Sequence, residues 1–240
     1  MSELYESQRT MRAMRKTALQ RGVIAVLDVG TTKIGCLIGS ATTRSRGVEF
    51  GEIVSMPQAE RAIRTALQSA QKLANVRVDH VIACFSGGTP RSYGVTGQVT
   101  VENQIISEQE IAQVMADCDI PDFGEGREVL HAQPVNFALD HRSGLSDPRG
   151  QIGQKLGTDI HMLTVEEKAI RDLAYCVKRC DLELAGVASS AYASGISALV
   201  EDELELGAAC IDIGGGSAGV SIFLKKHMIL IFGKLSIVMF

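Results

Sequence analysis

Apolar and polar positions alternate along the chain with two different periods, and these periods predict its strands and helices. Val23–Leu27 and Val76–Phe85 contain apolar runs rich in β-branched residues, which are typical of buried strands. Between them, apolar residues recur at helical spacing after Pro57, with Leu73 among those predicted to face inward. Strands and helices alternate again near the end of the chain, which predicts an α/β fold.

The pattern changes over residues 92–164. Val95–Val101 alternates as a half-exposed strand does, and Ser107–Glu110 (SEQE) is a capping box that starts a helix. A later apolar run contains Pro134, which predicts an edge strand or a bulge, and Gln154–Leu163 predicts a further strand. We therefore predict an insert made of a strand, a helix and two strands.

Four shorter segments complete the predicted order of elements. Polar Ala41–Gly47 predicts a loop, and Thr164–Glu167 (TVEE) has a second capping-box pattern that predicts the start of a helix. Ser189–Leu199 is rich in small residues and predicts a helix on which another backbone can pack closely. Glu201–Glu205 predicts an acidic turn.

One stretch of the chain occurs twice in altered form. VIAVLDVGTTKIGCLIGS occupies residues 23–40, and AACIDIGGGSAGVSIF occupies residues 208–223. Aligning Asp28 with Asp212 also aligns two pairs of glycines, namely Gly30 with Gly214 and Gly35 with Gly219. We interpret the two stretches as two copies of one β-hairpin.

The turn of such a hairpin is suited to phosphate. Backbone N–H groups of a tight turn rich in Gly and Thr point in one direction and form a concave site for phosphate oxygens. Lys33 adds a positive charge, and Asp28 and Asp212 at the strand ends are suited to Mg²⁺ held through water. GGG at 214–216 matches neither the Walker nor the dinucleotide-binding spacing. Two purely structural hairpins remain the alternative.

Composition limits the class of protein. The 240 residues are 45% hydrophobic and 22% charged, which is typical of a globular chain, and the net charge of −4 favours no nucleic-acid partner. Six cysteines without a CxxC pair indicate reduced thiols of a cytosolic protein. Cys176 and Cys180 lack a second ligand pair for a metal, and the spacing of His131, His141 and His161 predicts no zinc site.

Two terminal segments bear on membrane contact. No stretch reaches the ~18 uncharged apolar residues of a membrane span. Met228–Phe240 comes nearest, but it is short and contains Lys234. Met1–Arg21 carries five basic residues, which suits either a basic arm that contacts acidic lipid or a solvated tail.

The motifs resemble those of a known superfamily. LDVGTTKIGCLI and CIDIGGGSAGVSIF resemble the two phosphate motifs of the actin-like superfamily, which includes actin, sugar kinases and heat-shock-protein ATPases. REVLHAQPVNFALDHRSGLSDPRGQIGQKLGTDIHMLT and ASSAYASGISALVEDELELG resemble the FtsA family of bacterial cell division proteins, alphaproteobacterial members in particular. The resemblance covers residues 23–228 roughly. It implies an α/β, actin-like (ribonuclease H-like) lobe with an inserted small α+β subdomain, and a second lobe that is truncated.

The resemblance also implies a division of the chain and a site. Residues 1–21 are a flexible tail, 22–91 and 165–205 the first lobe, 92–164 the SHS2 subdomain, and 206–240 an incomplete start of the second lobe. ATP and Mg²⁺ are the implied cofactors. The implied phosphate-binding residues are Gly30, Thr31, Thr32 and Lys33 in the first turn and Gly214, Gly215, Gly216 and Ser217 in the second, with Asp28 and Asp212 near Mg²⁺. No catalytic residue is identified, although Ser189-Ser190 and Ala193-Ser194 lie where the two lobes are expected to join.

The implied function is cell division. Members of the family bind ATP, self-associate as actin-like polymers, link the FtsZ ring to the cytoplasmic membrane as peripheral membrane proteins, and recruit later division proteins. One alternative is a protein-interaction module that acts through residues 92–164 without nucleotide chemistry. Another is a small-molecule kinase, which needs a base for the acceptor hydroxyl. Asp140, Asp147 and Asp159 resemble solvated loop carboxylates rather than such a base.

The sequence departs from the family pattern at two places, and each departure leads to a prediction. The short interval from Ile38 to Ala41 predicts that one strand of the first lobe, with its turn, is missing. After Phe223 the chain should continue with adenosine-binding glycines, whereas residues 229–240 (ILIFGKLSIVMF) do not resemble them. We therefore expect a truncated copy without the adenine-binding lobe, the FtsZ-binding surface or the membrane helix. In such a copy, Leu230, Ile231 and Phe232 have little to pack on.

Overall fold

The computed structural model describes residues 24–38, 40–101 and 105–235. The predicted tail and the last five residues of the C-terminal apolar run lie outside the described residues. The strands within these ranges are β1 Ala25–Val29, β2 Lys33–Leu37, β3 Ala41–Arg44, β4 Val48–Glu49, β5 Glu52–Ile53, β6 His80–Phe85, β7 Arg91–Thr100, β8 Arg127–Leu139, β9 Arg142–Leu145, β10 Lys155–Glu166, β11 Glu183–Ser189, β12 Ala208–Ile213, β13 Ala218–Leu224 and β14 His227–Leu235. The helices are α1 Met56–Ala74, α2 Glu108–Ala116, α3 Glu167–Arg179, α4 Ser190–Ala198 and α5 Glu201–Leu206.

A five-stranded sheet in the order β11-β6-β1-β2-β3 forms the first lobe. β1 pairs parallel with β6, β6 pairs parallel with β11, and β1, β2 and β3 pair antiparallel. Helices α1 and α3 bury their apolar stripes against this sheet in one core. Pro57 lies in the first turn of α1, as predicted, because its fixed φ suits that position. Leu73 is 69% exposed, so its predicted inward position is wrong.

The structure contains the strand that was expected to be missing. β3 begins at Ala41, pairs with β2, and occupies part of the segment that was predicted to be a loop. It is only four residues long and polar, with Ala41 buried. A short edge strand needs only one buried side chain and a paired backbone, so apolar periodicity does not reveal it.

The insert folds around a second sheet in the order β7-β10-β8-β9, on which α2 packs. The predicted capping box of α2 is confirmed: Ser107 Oγ accepts a hydrogen bond from Gln109 N–H at 3.1 Å, and Ser107 N–H donates to Glu110 at 2.8 Å. The register of β8 shifts next to Pro134, which confirms a bulge.

The second predicted capping box is wrong. Thr164 and Val165 belong to β10, and the Glu166 side chain makes no capping hydrogen bond at the start of α3. Thr164 Oγ1 instead accepts a hydrogen bond from Arg127 Nε at 3.0 Å. Arg127 also donates to the carbonyl of Thr89 at 2.8 Å, so it ties the start of β8 to the segment between β6 and β7.

A third sheet, β12-β13-β14, follows α4 and α5. α5 is a short helix where an acidic turn was predicted. The expectation that the last apolar strand has little to pack on is wrong for Ile231, which is buried with Phe223, Met228 and Leu163. β14 pairs with β13, so the backbone of this run is part of a ladder.

Candidate functional site

The two predicted hairpins have the same register. Asp28 lies opposite Gly35 in the β1–β2 pair, and Asp212 lies opposite Gly219 in the β12–β13 pair. Their turns close with the same hydrogen bond, from Gly30 N–H to Lys33 O at 3.2 Å and from Gly214 N–H to Ser217 O at 2.8 Å. The alignment made on the sequence is therefore also an alignment of backbone geometry.

The two turns face and contact each other. A Cβ placed on Gly215 would lie 1.5 Å from Thr32 Oγ1, and one on Gly216 would lie 2.8 Å from the Thr31 methyl group. Only glycine fits at these positions because any side chain would occupy the space of the opposite turn. The turns of two different sheets thus form one polar surface.

This surface lies in a cleft with a volume of about 800 Å³. The predicted site residues that line it are Asp28, Gly30, Thr31, Thr32, Lys33, Asp212, Gly214, Gly215 and Ser217. Gly216 is buried beneath Thr31 instead of lining the cleft. The tertiary structure therefore brings together residues that are about 180 positions apart in the chain.

Electrostatic interactions connect the two carboxylates. Burial raises the pKa of Asp28, nearby Lys33 opposes this increase, and the charge of Asp212 adds to it. Burial and both carboxylates also raise the pKa of Cys84, which lies at the end of β6 opposite Asp28. Two carboxylates whose charges repel each other favour a divalent cation between them, and oxygen donors are the ligands that Mg²⁺ prefers. The donor set fits that ion.

Several residues that line the cleft or support its turns were not predicted as site residues. Ser194 of α4 donates a hydrogen bond from Oγ to Asp212 Oδ2 at 3.0 Å. The first turn is held from outside, because Gly51 N–H donates to Thr31 Oγ1 at 3.1 Å. Glu52 accepts a hydrogen bond from Gly88 N–H at 3.1 Å and so holds the segment after β6. For Cys84, the available signal was its position near the end of a buried strand parallel to β1, since the ends of parallel strands meet at one edge of a sheet.

Other candidate residues lie elsewhere. Asp140 accepts backbone hydrogen bonds from Gln154 and Lys155 at 3.0 and 2.9 Å, and Asp147 pairs with Arg149. In the described part of the chain, no group of three His, Cys, Asp or Glu side chains is arranged to hold a metal ion. None of the helices in the described ranges is long and apolar enough to cross a membrane.

The sequence and this geometry match a known family. Residues 87–164 match the SHS2 domain inserted in FtsA. The chain is 34% identical to the cell division protein FtsA of Rhizobium meliloti (strain 1021) over 229 residues, which covers 86% of this chain and 52% of that protein. Over most of its length, this chain is similar to FtsA proteins. It is 24% identical to the FtsA protein of Escherichia coli (strain K12) over 218 residues, with the same two coverages.

The FtsA relatives are longer than this chain, which spans about half the length of the curated relatives it matches. Among solved structures, the PilM-PilN type IV pilus biogenesis complex is similar in fold, with a TM-score of 0.58 and 12% identity, covering 88% of this chain and 60% of that one. The fold is the predicted one: an actin-like α/β lobe with an inserted SHS2 domain, as expected for a relative of FtsA.

Proposed function

We propose that this chain carries the phosphate-and-metal part of an ATP site in an actin-like cell division protein. The observation that supports the proposal most directly is the pair of hairpins of equal register whose turns meet in one cleft. The turn N–H groups and the Thr31, Thr32 and Ser217 hydroxyls would hold phosphate oxygens. Lys33 would add charge, and Asp28 and Asp212 would hold Mg²⁺ through water.

In this proposal, the two turns must move apart before ATP binds, because they are in direct contact. Gly215 lies directly against Thr32, so a phosphate group enters only if the turns separate. The interface between the turns contains hydroxyl and backbone groups. Once the turns separate, these groups can bind phosphate oxygens instead of contacting the opposite turn. We propose that ATP links the first and third sheets by replacing this direct contact.

The wider role that we propose is based on the similarity to FtsA proteins. The full-length protein would self-associate, link the FtsZ ring to the inner face of the cytoplasmic membrane as a peripheral protein, and recruit later division proteins. No nucleic acid is involved. The arrangement we propose for this chain is a first lobe from residues 22–91 and 165–205, an insert from 92–164, and the start of a second lobe from 206.

The test of the ATP site is a titration with a fluorescent ATP analogue in the presence of Mg²⁺. We expect Gly215→Val and Asp212→Ala each to weaken binding at least about tenfold, which corresponds to about 1.4 kcal/mol. Val at position 215 enters the space of Thr32, and Ala at 212 removes a carboxylate. Gly94→Val is the matched control, because a Cβ there has no described atom within 4 Å.

The result of this titration is decisive for the site assignment. Equal affinity of the wild type, both site variants and the control would contradict it. Circular dichroism and thermal unfolding of each variant show whether lost binding comes from lost folding. An affinity that falls in Gly94→Val as much as in Gly215→Val would also contradict the assignment.

A protein-interaction role of the insert has separate support. The insert has two hydrophobic cores of its own, one around Leu139 and Leu156 and one around Ile160 and Met162. At one end, Ile105 and Ile152 pair in an isolated bridge while both side chains are more than half exposed. Adjacent exposed apolar side chains are typical of contact surfaces.

We propose that this apolar end of the insert contacts another division protein or a second copy of the chain. The test uses the full chain with Ile152→Lys, and Thr100→Lys on the insert as the control. Crosslinking and sedimentation should show weaker association for Ile152→Lys alone. If both variants associate as strongly as the wild type does, this role is contradicted, whatever the outcome of the ATP titration.

A further inference from the structure

Helix α4 is fixed against the second hairpin by small residues. A Cβ on Gly195 would lie 2.2 Å from the Phe223 ring, and one on Gly219 would lie 2.9 Å from Ala191 Cβ. Ser221 Oγ donates a hydrogen bond to Ala191 O at 2.8 Å. The helix and the strands therefore have little freedom to slide or rotate relative to each other.

This close packing places the residue next to Gly195 at the site. Ser194 Oγ donates to Asp212 Oδ2 at 3.0 Å, and Ser194 is part-buried at the wall of the cleft. A hydrogen bond to a charged acceptor is stronger than one between neutral groups, and it fixes the orientation of the carboxylate. The other oxygen of Asp212 accepts no hydrogen bond from the described residues, so it remains available to a ligand.

The equivalent carboxylate of the first hairpin lacks such a donor. In the described part of the chain, the Asp28 carboxylate accepts no hydrogen bond, and its electrostatic partner is Lys33. Only the second carboxylate is therefore oriented by a neighbouring helix. Because α4 follows β11 directly, the Ser194–Asp212 bond also links the first sheet to the second hairpin.

We infer that Ser194 is a positioning residue that orients Asp212 for a divalent cation. The inference rests on the proposed function, since it assigns a role within the same site. It concerns how the cation is held and not whether phosphate is bound. Removing the hydroxyl should therefore change the affinity for the cation more than the affinity for the nucleotide without a cation.

The experiment measures Mn²⁺ alone, by electron paramagnetic resonance of the nucleotide-free full chain. We expect Ser194→Ala to weaken Mn²⁺ binding about three- to tenfold, the effect of a typical net hydrogen bond at a part-buried position. Ser194→Thr should restore the wild-type value because it keeps a hydroxyl. Ser197→Ala is the matched control: Ser197 lies one turn later on the same helix and lines the same cleft, and its side chain makes no hydrogen bond to described residues.

A second titration uses the fluorescent ATP analogue with varied Mg²⁺. Ser194→Ala should require about three- to tenfold more Mg²⁺ for half-maximal binding, whereas binding in EDTA should stay as in the wild type. Unchanged Mn²⁺ and Mg²⁺ dependence in Ser194→Ala would overturn the inference, as would an equal change in Ser197→Ala. A loss of binding in EDTA of the same size would also overturn it, since the role would then be structural.

These outcomes separate the inference from the proposed function. A wild-type chain that binds Mn²⁺ but no ATP analogue contradicts the ATP site, and the Mn²⁺ series still decides the role of Ser194. A wild-type chain that neither binds Mn²⁺ nor requires Mg²⁺ overturns the inference. If Ser194→Ala fails to fold by circular dichroism, Ser194→Cys provides the comparison, because it keeps the volume and replaces the hydroxyl by a weak donor.

Discussion

The first and second hairpins have one backbone geometry but very different surroundings. Leu27 and Ile211 occupy equivalent positions before the aligned aspartates, yet Leu27 is completely buried and Ile211 is 63% exposed. The next pair of apolar residues behaves in the same way, with Val29 at 1% and Ile213 at 70% exposure. The difference shows that the pattern of a hairpin determines its pairing, whereas burial depends on what packs on it.

The packing partners explain the difference. The apolar face of the first hairpin is covered by α1 and α3, while its aspartate faces the cleft. The second hairpin also turns its aspartate towards the cleft and α4, so Ile211 and Ile213, which alternate with it along β12, lie on the opposite face. Among the described residues, no helix covers that face as α1 and α3 cover the first.

The largest expected effect is the difference in the free energy of unfolding between two truncations, at the equivalent residues Leu27 and Ile211. Leu27→Ala should lower the free energy of unfolding by about 2–5 kcal/mol, because it leaves a cavity in a close-packed core. Ile211→Ala should lower it by less than about 1 kcal/mol, because its side chain is mostly in solvent. Urea unfolding of both variants measures the two values.

The same pair of variants can overturn this comparison. A loss in Ile211→Ala as large as that in Leu27→Ala would mean that the exposed face is covered in solution. Repeating the unfolding at several protein concentrations then shows whether a second copy covers it, since stability would rise with concentration.

A smaller effect is expected at the turn of the first hairpin. Thr31→Val keeps the shape of the side chain but removes the acceptor of Gly51 N–H, and within the described ranges no equivalent hydrogen bond supports the second turn. We expect a loss of about 1 kcal/mol, because a buried donor is left without a partner. Thermal unfolding checks the value, with Thr31→Ser as the control that keeps the hydroxyl. A loss in Thr31→Ser without a loss in Thr31→Val would show that the methyl group, and not the hydrogen bond, supports the turn.

The smallest expected effect depends on pH. The pKa of Asp28 is raised in the folded chain, so between its ordinary pKa and the raised value the folded state binds more protons than the unfolded state. Stability therefore falls as pH rises through that interval, and the charged carboxylate reduces stability at neutral pH. Asp28→Asn should stabilise the chain at pH 7, by less than about 1 kcal/mol because solvent partly screens the charge.

The gain from Asp28→Asn should decrease as the pH approaches 4, where the wild-type carboxylate takes up a proton. Urea unfolding at pH 7 and pH 4 measures this change. Asp119→Asn is the control, since Asp119 is exposed in the loop after α2 and the substitution should leave stability unchanged at both values. If Asp28→Asn stabilises the chain equally at both pH values, the stabilisation comes from packing and not from the removed charge.

Much of the fold follows from local patterns in the sequence. Apolar runs predicted β1 and β6, helical spacing predicted α1, and the capping box at Ser107 predicted the start of α2. The failures have a common cause. Thr164 satisfies a capping pattern but continues β10, because pairing with β8 and the hydrogen bond from Arg127 compete with the helix start. The polar β3 has no pattern of its own and exists through pairing with β2.

The sequence by itself determined the two hairpins, because turn residues and β-branched runs act over a few positions and fix the register between adjacent strands. The sequence also identified Asp28 and Asp212 as equivalent positions, because the two stretches align on them. Only the tertiary structure decided that the two turns touch, that Ser194 reaches Asp212, and that Leu27 is buried while Ile211 is exposed. These are contacts between segments far apart in the chain, and they depend on how α4 and the sheets pack, which no local pattern encodes.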